Sequence, residues 1–489
     1  MFLRQIPDPH LAQYAYLIGC QRTGEAIVID PERDVDRYRK LAAENGLRIT
    51  AVAETHIHAD FVSGARELVM TNPQLRLYVS GEGGPEWQVA WANGLSHVTR
   101  LLDGGRFRVG NLDFQAVHTP GHTPEHMIYL VTDRGGGADE PVAMLSGDFL
   151  FVGDAGRPDL LEQAAGLEGT QEPGARALYR SLRKVSDMPC HLQVLPAHGA
   201  GSACGKALGA VPNSTLGYEE KFNPALKLAL ESGEDAFVRF ILSGQPEPPA
   251  YFAHMKHLNR VGPAVLDGLP AAPILSLPSV VARLDEPDFV VLDTRDRPTF
   301  LAGHLRGSLF TPPGNFSDFA GSFLQPQNRV VLVLTDPSAP EEWIRQLVRM
   351  GFDQVIGVLP ATLLEAAPPG QIARLPAIRF EELPALLAAE PESVLLDVRK
   401  AMEFATGHLR GARNQAHTRL LPQLNEVPAD RPLVVSCGSG MRAAGACAFL
   451  ARTGRRVTCV ADHFEHAPRE LVTGTIPASP TLAGDRTSR

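Results

Sequence analysis

The stretch His56-Ile57-His58-Ala59-Asp60-Phe61 decides how the first half of this 489-residue chain is interpreted. Residues 49–55, immediately before it, form a short run rich in small apolar and β-branched side chains, which predicts a strand. Two imidazoles and a carboxylate at the end of a strand predict a metal site. Imidazole and carboxylate suit zinc and iron(II) alike, so the residue types leave the metal open.

Three more predicted strand ends carry side chains of the same kind. They are the segments His118-Thr-Pro-Gly-His122, Met144-Leu-Ser-Gly-Asp148 and Leu195-Pro-Ala-His198. Strand ends that converge on one face are where layered α/β folds build their sites. Because strands and helices alternate to about residue 260, the pattern predicts an αββα sandwich with His122, Asp148 and His198 near His56.

An internal repeat occupies the second half of the chain. Val291-Leu-Asp-Thr-Arg295 followed by Gly303-His-Leu-Arg-Gly307 matches Leu395-Leu-Asp-Val-Arg399 followed by Gly407-His-Leu-Arg-Gly411. Both motifs recur after the same offset, 104 residues, which predicts two copies of one domain. Strands alternate with helices in each copy, as in a small parallel sheet that is covered on both faces.

Proline-rich segments divide the chain into candidate domains. Residues 245–249, 269–273 and 367–370 are predicted linkers, because proline interrupts both helices and sheet ladders. The resulting division has a first domain over residues 1–262, a second over 272–366, a third over 374–476, and a polar, disordered tail over 477–489.

A cysteine begins a glycine-containing loop in the second copy. Cys437-Gly-Ser-Gly-Met-Arg442 lies between a predicted strand at residues 433–436 and a predicted helix at residues 443–450. The N–H groups and the dipole of a helix N-terminus stabilise a thiolate or a bound persulfide. Arg442 can hold an anionic sulfur oxyacid such as sulfite. The first copy has Leu334-Thr-Asp-Pro-Ser-Ala-Pro340 at the corresponding place, so it has no thiol to carry sulfur.

Composition argues against several classes of function. The formal net charge is −9 and there is no basic run, which makes nucleic acid and membrane surfaces poor partners. Apolar runs such as residues 330–334 are too short to span a bilayer, and the first residues lack a signal-peptide pattern. Six cysteines without a Cys-x-x-Cys pair argue against a disulfide framework. We therefore expect a cytoplasmic protein. We also expect a homo-oligomer.

The chain resembles the persulfide dioxygenase branch of the metallo-β-lactamase superfamily, and more closely its bacterial fusions with rhodanese domains. The resemblance rests on Thr55-His-Ile-His-Ala-Asp60, His118-Thr-Pro-Gly-His-Thr123, Ser146-Gly-Asp148, Gly156-Arg-Pro-Asp-Leu160 and Pro196-Ala-His-Gly199. The fold it implies is an αββα metallo-β-lactamase sandwich followed by two small parallel-sheet rhodanese-like domains. The first of these would be a pseudo-rhodanese that lacks the catalytic cysteine.

The loop that begins at Cys437 resembles a rhodanese active loop. Protein-tyrosine phosphatases and phosphatase-like arsenate reductases also use a cradle made of a cysteine, a loop and an arginine. The motifs Leu-Asp-Val-Arg399 and Gly-His-Leu-Arg-Gly411 favour a rhodanese over a phosphatase or an arsenate reductase.

The resemblance implies one iron(II) per chain, held by His56, His122 and Asp148. A triad of two histidines and one carboxylate leaves adjacent positions open for a persulfide and O2. The resemblance places His58 just outside the ligand shell. In the superfamily loop a histidine follows the aspartate, and Phe61 stands in its place here. A vestigial second metal position would then keep only Asp60 and His198 as its own ligands, which favours one metal over two.

Three more residues are candidates for the substrate site. Arg157 and Asp159 either line the pocket or brace Asp148, or they form a structural pair within their loop. Cys204 follows His198 closely enough in sequence to reach the site, and an unreactive buried thiol is the alternative.

The function implied is iron-dependent oxidation of a low-molecular-weight persulfide by O2 to sulfite. Rhodanese transfer at Cys437, with Arg442 orienting sulfite, would then give thiosulfate, so that the joint function would be sulfide detoxification. The alternative is a zinc-dependent thiolesterase or lactonase of the glyoxalase II kind fused to a sulfur carrier, which needs a metal-activated water. A non-catalytic sulfur carrier is disfavoured, because structural metal sites have closed ligand sets.

Overall fold

Two six-stranded sheets build the N-terminal half of the protein in this computed structural model, which describes residues 1–160, 162, 169–245 and 247–474. The strands of the first sheet lie side by side in chain order: β1 (Phe2–Asp8), β2 (Gln13–Cys20), β3 (Glu25–Ile29), β4 (Arg48–Ala53), β5 (Arg76–Ser80) and β6 (Val98–Leu101). The strands of the second also neighbour one another in chain order: β7 (Arg106–Val109), β8 (Leu112–His118), β9 (Met127–Asp133), β10 (Ala143–Gly147), β11 (Gln193–Pro196) and β12 (Ser214–Thr215).

Helices cover the outer face of each sheet. Tyr38 of α1 (Asp36–Glu44) and Leu68 of α2 (Ala65–Thr71) share a core with the first sheet. Leu178 of α3 (Gln171–Val185) shares another with the second sheet. The later helices of this half are α4 (Leu216–Phe222), α5 (Pro224–Glu231), α6 (Glu234–Leu242) and α7 (Phe252–Val261). Within the described ranges, no helix combines the length and the apolar character that crossing a bilayer requires.

The strands are apolar on both faces because both faces are covered. In β2, Ile18 points into the core between the two sheets, and its neighbour Leu17 points into the core beneath the helices. Ile27 and Val28 of β3 alternate in the same way. This arrangement confirms the predicted αββα sandwich.

The C-terminal ends of several strands meet at one edge of each sheet. In the first sheet, β3, β4, β5 and β6 are parallel to one another. In the second sheet, β8 and β10 are both antiparallel to the intervening β9, and β11 is parallel to β10. The loops that follow β8, β10 and β11 therefore leave the sheet on the same side, as the sequence predicted.

The second half of the chain contains two small parallel sheets. The first is four-stranded, in the order β15-β13-β16-β17, and the second is five-stranded, in the order β19-β24-β23-β20-β22. Two short pairs, β14 with β18 and β21 with β25, accompany them. The strands are β13 (Phe289–Asp293), β14 (His304–Leu305), β15 (Leu309–Phe310), β16 (Arg329–Leu334), β17 (Val355–Pro360), β18 (Ile372–Ala373), β19 (Ala377–Ile378), β20 (Val394–Asp397), β21 (Gly407–Leu409), β22 (Arg413–Asn414), β23 (Leu433–Ser436), β24 (Val457–Val460) and β25 (Val472–Gly474). The helices are α8 (Leu277–Val281), α9 (Arg297–Ala302), α10 (Phe316–Phe323), α11 (Glu341–Arg349), α12 (Leu383–Ala389), α13 (Ala401–Thr406) and α14 (Met441–Arg452).

The repeated motifs form the same network of contacts in both copies. Arg295 binds the Asp293 carboxylate with two of its nitrogens and donates to the carbonyl of Gly303 at 2.8 Å. Arg399 does the same with Asp397 and with Gly407, at 2.7 Å. A paired guanidinium that also satisfies a carbonyl at a helix end is a structural brace. The motifs therefore hold the fold of each copy together and leave its chemistry to other residues.

The described residues divide into two compact units. One contains Met1–Pro270 together with Glu341–Asp353, and the other begins with Ala271–Pro340 and resumes at Gln354. Helix α11 of the first copy thus packs with the N-terminal unit. The three predicted domains and their boundaries stay predictions, and the predicted tail at residues 477–489 lies outside the described residues.

Candidate functional site

A cluster of three buried side chains lies at the edge where the strand ends meet. His56 follows β4, His122 follows β8 and Asp148 follows β10. One ligand atom from each of these residues lies within 4.8 Å of the others. We call this set the first cluster. The fold thus brings together three of the residues that the sequence singled out.

Hydrogen bonds orient both histidines of the first cluster. Nδ1 of His56 lies 3.0 Å from the hydroxyl of Thr55, which itself donates to Asp30. Nδ1 of His122 lies 3.0 Å from the carbonyl of Arg157. Each Nδ1 therefore carries the proton, and each Nε2 keeps a lone pair directed at the cluster. Burial lowers the pKa of both imidazoles, which keeps them neutral, as metal ligands must be.

Asp148 lies between this cluster and a neighbouring one. Its Oδ2 is 3.5 Å from Nε2 of His122, and its Oδ1 is 3.3 Å from Nε2 of His198. Neither carboxylate oxygen has a hydrogen-bond partner among the described residues, and neither does Nε2 of His56. Burial alone would raise the pKa of Asp148, but the imidazoles of His198 and His122 hold it well below the usual range. The lone pairs on His56 Nε2 and on both Asp148 oxygens are buried and have no partner among the described residues, and a bound cation would satisfy them.

A second cluster consists of Asp60, His198 and Cys204, whose ligand atoms also lie within 4.8 Å of one another. Nδ1 of His198 bonds the carbonyl of Ala12 at 3.1 Å, and its Nε2 lies 3.2 Å from Oδ2 of Asp60. Burial raises the pKa of Cys204 to about 12. The thiol is therefore protonated at neutral pH and is a weak nucleophile. The structure brings Cys204 beside His198, as its position in the sequence suggested.

His58 lies apart from the first cluster because two carboxylates hold it. Its Nε2 is 3.0 Å from Oδ1 of Asp30 and 3.0 Å from Oε2 of Glu54. Burial alone would lower the pKa of His58, but the two carboxylates outweigh it and raise the pKa well above the usual value. The ring of Phe61 packs on this imidazole, with the ring centroids 4.4 Å apart. Phe61 thus stabilises a charged and well-oriented loop residue.

Arg157 and Asp159 are buried and bind each other. Nε and Nη2 of the guanidinium donate to the two carboxylate oxygens at 2.8 and 2.6 Å. The Arg157 carbonyl is the group that orients His122, so this pair stabilises a ring of the first cluster. Gly156, just before, approaches Asp148 so closely that a Cβ would lie 1.7 Å from the Asp148 carbonyl oxygen. A role for the pair in substrate binding stays a prediction.

Three residues that hold the first cluster or the loop after His56 were not found from the sequence. His126 accepts a hydrogen bond from the backbone N–H of Asp148 at 3.0 Å, and its spacing from His122 was a signal that could have revealed it. Asn259 donates to the carbonyls of His58 and Phe61 at 2.8 and 2.7 Å. The carbonyl of Arg349 in α11 accepts from Val62 at 2.6 Å. The contacts of Asn259 and Arg349 join parts of the chain that are distant in sequence, so no local sequence pattern predicts them.

The loop at Cys437 forms a cradle around the sulfur. Sγ accepts hydrogen bonds from the backbone N–H groups of Gly440 at 3.1 Å and Ala443 at 3.4 Å. Burial raises the pKa of Cys437 above the ordinary value and outweighs the lowering by Arg442 and by the backbone N–H groups of Ala443 and Ser439. The resting group is therefore a neutral thiol, and the predicted stabilisation of a thiolate or bound persulfide stays a prediction.

Arg442 is paired with a carboxylate. Its two terminal nitrogens donate to the two oxygens of Glu403 at 2.6 and 2.7 Å. Both side chains are partly exposed, with 22% and 40% of their surfaces accessible. An anion that enters the cradle must therefore compete with Glu403 for this guanidinium.

Comparisons with known proteins agree with this arrangement. The sequence profile described as the metallo-β-lactamase superfamily matches residues 9–198, which include the whole first cluster. A protein of Burkholderia pseudomallei (strain 1710b), named as a probable metallo-hydrolase, is 33% identical over 228 residues, or 39% of this chain and 70% of that protein. The chain belongs to the metallo-β-lactamase superfamily. A rhodanese-like domain follows, because the profile of that name matches residues 380–466 around Cys437.

A solved structure and a persulfide dioxygenase are also similar to this chain. A metallo-β-lactamase crystal structure from Staphylococcus aureus subsp. aureus COL matches with a TM-score of 0.64 and 38% identity, over 74% of this chain and 99% of that chain. This match reaches well beyond residues 9–198, so it includes part of the second half. The mitochondrial persulfide dioxygenase ETHE1 of Bos taurus is 28% identical over 233 residues, or 47% of this chain and 78% of that protein.

Proposed function

We propose that this protein oxidises a low-molecular-weight persulfide with O2 and passes sulfur through Cys437 to sulfite. In the first reaction, RSSH, O2 and H2O give RSH, SO3²⁻ and 2 H⁺. In the second, RSSH and the Cys437 thiol give RSH and a Cys437 persulfide, whose outer sulfur bonds to sulfite and leaves as thiosulfate. The observation that carries the proposal is that one chain holds both the first cluster and the Cys437 cradle.

His56, His122 and Asp148 are the proposed ligands of one iron(II) per chain. The fit rests on the unpartnered and buried Nε2 of His56 and the two unpartnered oxygens of Asp148. Iron(II) held by two imidazoles and one carboxylate would supply the redox chemistry by which O2 oxidises a persulfide sulfur. The likeness to the persulfide dioxygenase ETHE1 supports this choice over a hydrolytic metal.

The chain contributes orientation and a dry environment to this site. Thr55 and the Arg157 carbonyl fix the two imidazoles, and His126 fixes the backbone of Asp148. All the side chains of the cluster are buried, so bulk water does not compete for their lone pairs. Such partners of metal ligands set both ring orientation and affinity. His58, Asp60 and His198 lie outside the ligand set in this proposal.

At Cys437 the chain's own groups carry the reaction. When sulfite bonds to the outer sulfur of the persulfide, the bond between the two sulfurs breaks and Sγ leaves as a thiolate. The N–H groups of Gly440 and Ala443 stabilise the negative charge that develops on Sγ. Arg442, released from Glu403, binds the oxygens of the incoming sulfite.

One observation favours a zinc-dependent thiolesterase or lactonase of the glyoxalase II kind. Asp148 reaches His198 as well as His122, at 3.3 and 3.5 Å, so it is placed to bridge two metals. Hydrolases of this kind activate water between two such ions. Against it, Phe61 supplies no ligand and packs on His58 instead.

Oxygen uptake separates the two functions. Anaerobically iron-loaded full-length protein should bind about one iron per chain, as a facial triad implies. It should consume O2 on addition of glutathione persulfide or coenzyme A persulfide and form sulfite. Zinc-loaded protein is the matched control and should consume none. About two zinc ions per chain, thioester hydrolysis and no oxygen uptake would instead establish the hydrolase.

Phe61→His tests why the protein would hold a single metal. The new imidazole would follow Asp60, which faces His198, so that with Asp148 a second metal position could fill. We expect zinc bound in excess metal to rise from about one to about two ions per chain, and O2 consumption to be lost. Phe61→Leu is the control, since it changes the packing on His58 but adds no ligand. If Phe61→His still binds one ion in excess zinc, Phe61 is a packing residue only.

A further inference from the structure

The copy without a cysteine packs against the helix that follows the Cys437 loop. The rings of Phe323 and Phe449 stack with their centroids 5.0 Å apart. Phe319 lies against Gly445, where a Cβ would be 2.4 Å from its ring. Arg452, at the far end of α14, donates to the carbonyls of Gly307 and Phe289 at 2.6 and 2.8 Å. All these residues belong to the same compact unit.

Arg297 of this copy reaches the Cys437 loop itself. Its Nη1 donates a hydrogen bond to the carbonyl of Ser439. The next residue, Gly440, has a φ of +79°, and a Cβ there would lie 2.3 Å from Nη1 of Arg297. The left-handed backbone requires glycine, and so does the backbone of Ala461, which would lie within 2.9 Å of a Cβ there. The position therefore leaves room for the guanidinium.

Arg297 is not part of the repeated scaffold. The repeat offset that relates Arg295 to Arg399 relates Arg297 to Ala401. Among the described residues Arg297 has no carboxylate partner, whereas Arg295 is paired with Asp293. Pro298 follows it at the start of α9, and Asp296 caps that helix. The backbone at Arg297 is thus held firmly, and the charge of the Arg297 guanidinium is available to the Cys437 loop.

We propose that Arg297 is a positioning residue for sulfur transfer and acts on Cys437 through the Ser439–Gly440 peptide group. The carbonyl of this peptide accepts from Arg297, and its N–H donates to Sγ of Cys437 at 3.1 Å. A charged donor on the carbonyl polarises the peptide and strengthens the bond made by its N–H. That bond stabilises the negative charge on Sγ when the thiolate leaves. The proposal rests on the function proposed above and extends it to a residue of the copy that lacks the cysteine.

Other ionisable groups also lie near Cys437, and replacing Arg297 leaves them unchanged. Arg442 faces the sulfur from the loop and is paired with Glu403. Cys459 of β24 and Cys447 of α14 face it from the core. None of these groups bonds to Arg297, so replacing Arg297 removes one polarising donor and leaves them in place.

Three full-length variants test the proposal: Arg297→Met, Arg297→Lys and, as a matched control, Arg452→Met. Arg452 also joins the two copies through carbonyls, but it lies at the far end of α14 from the loop. Two measurements are made at several pH values. One is steady-state formation of thiosulfate from sulfite and glutathione persulfide. The other is the rate at which iodoacetamide alkylates Cys437, resolved by peptide mass spectrometry.

Arg297→Met is expected to lower kcat for thiosulfate formation about tenfold with an unchanged KM for sulfite. In the same variant, alkylation of Cys437 should need a higher pH. Arg297→Lys should restore most of the lost kcat and most of the lost alkylation rate. Arg452→Met should match the wild type in both measurements. Equal effects of Arg297→Met and Arg452→Met, or no effect of either, would overturn the proposal, and so would a change in KM alone. The alkylation measurement needs no substrate, so it judges Arg297 even if the wild type makes no thiosulfate and the proposed function fails.

Discussion

Replacing Cys437 by serine is expected to abolish thiosulfate formation and to leave O2 consumption intact. Within the described residues, Cys437 is the thiol that receives the two backbone N–H bonds of the loop. A serine hydroxyl cannot form a persulfide, so transfer should fall by at least ~10³-fold. The product released from glutathione persulfide should shift from thiosulfate to sulfite, which ion chromatography of both anions measures.

Cys204→Ser is the matched control for this experiment. Cys204 is also buried, but it lies beside His198 in the second cluster. Burial raises the pKa of both thiols, but the loop around Cys437 supplies N–H groups that stabilise a developing negative charge on the sulfur. We therefore expect this variant to keep forming thiosulfate. Normal thiosulfate formation by Cys437→Ser together with its loss in Cys204→Ser would move the transfer step to Cys204.

Asp148→Asn is expected to eliminate tight iron binding and, with it, O2 consumption. The asparagine keeps the shape of the side chain but removes the negative charge that faces His122 and His198. Its amide nitrogen can donate to one of those imidazoles and its oxygen can accept from the other, so the fold should survive without metal. Iron affinity should fall by more than the ~100-fold that loss of an outer partner costs. Elemental analysis and the thermal unfolding temperature, measured on one preparation, separate loss of metal from loss of fold.

Asp60→Asn is the control for the choice of ligand set. Asp60 faces His198 in the second cluster and is not a ligand in the proposed site. This variant should keep about one iron per chain, as expected for a triad of His56, His122 and Asp148. If Asp60→Asn loses metal to the same extent as Asp148→Asn, the two clusters form one binuclear site and the hydrolase becomes the better account.

Local sequence patterns predicted several strands and helices of the chain and many residues of its candidate sites. The strand predicted at residues 433–436 coincides with β23, and the helix after it appears as α14. The predicted strand before His56 appears as β4. Periodicity, turn residues and repeated motifs are short-range signals, so the sequence alone carries them. The constant offset of the repeat predicted two copies of one domain, and in the structure Asp293 and Asp397 bind equivalent arginines.

Contacts between distant segments could not be predicted in this way. Arg297 meets Ser439 across 142 residues of sequence, and Asn259 meets Phe61 across 198. Helix α11 lies in the first repeat by sequence, yet it packs with the N-terminal unit. No local pattern encodes such pairings, because they arise only when separate elements pack together.

The chemical state of each side chain also depends on packing. The Cys437 loop by itself predicted that a thiolate or a bound persulfide is stabilised, and burial raises the pKa of the free thiol. The spacing of His58 allowed it to be a metal ligand, but Asp30 and Glu54 hold its Nε2 and keep the ring charged. The sequence by itself determined which residue types stand at the strand ends and in the loop. Only the tertiary structure decided which of them keep a free lone pair, because desolvation and partner charges depend on neighbours that are remote in the chain.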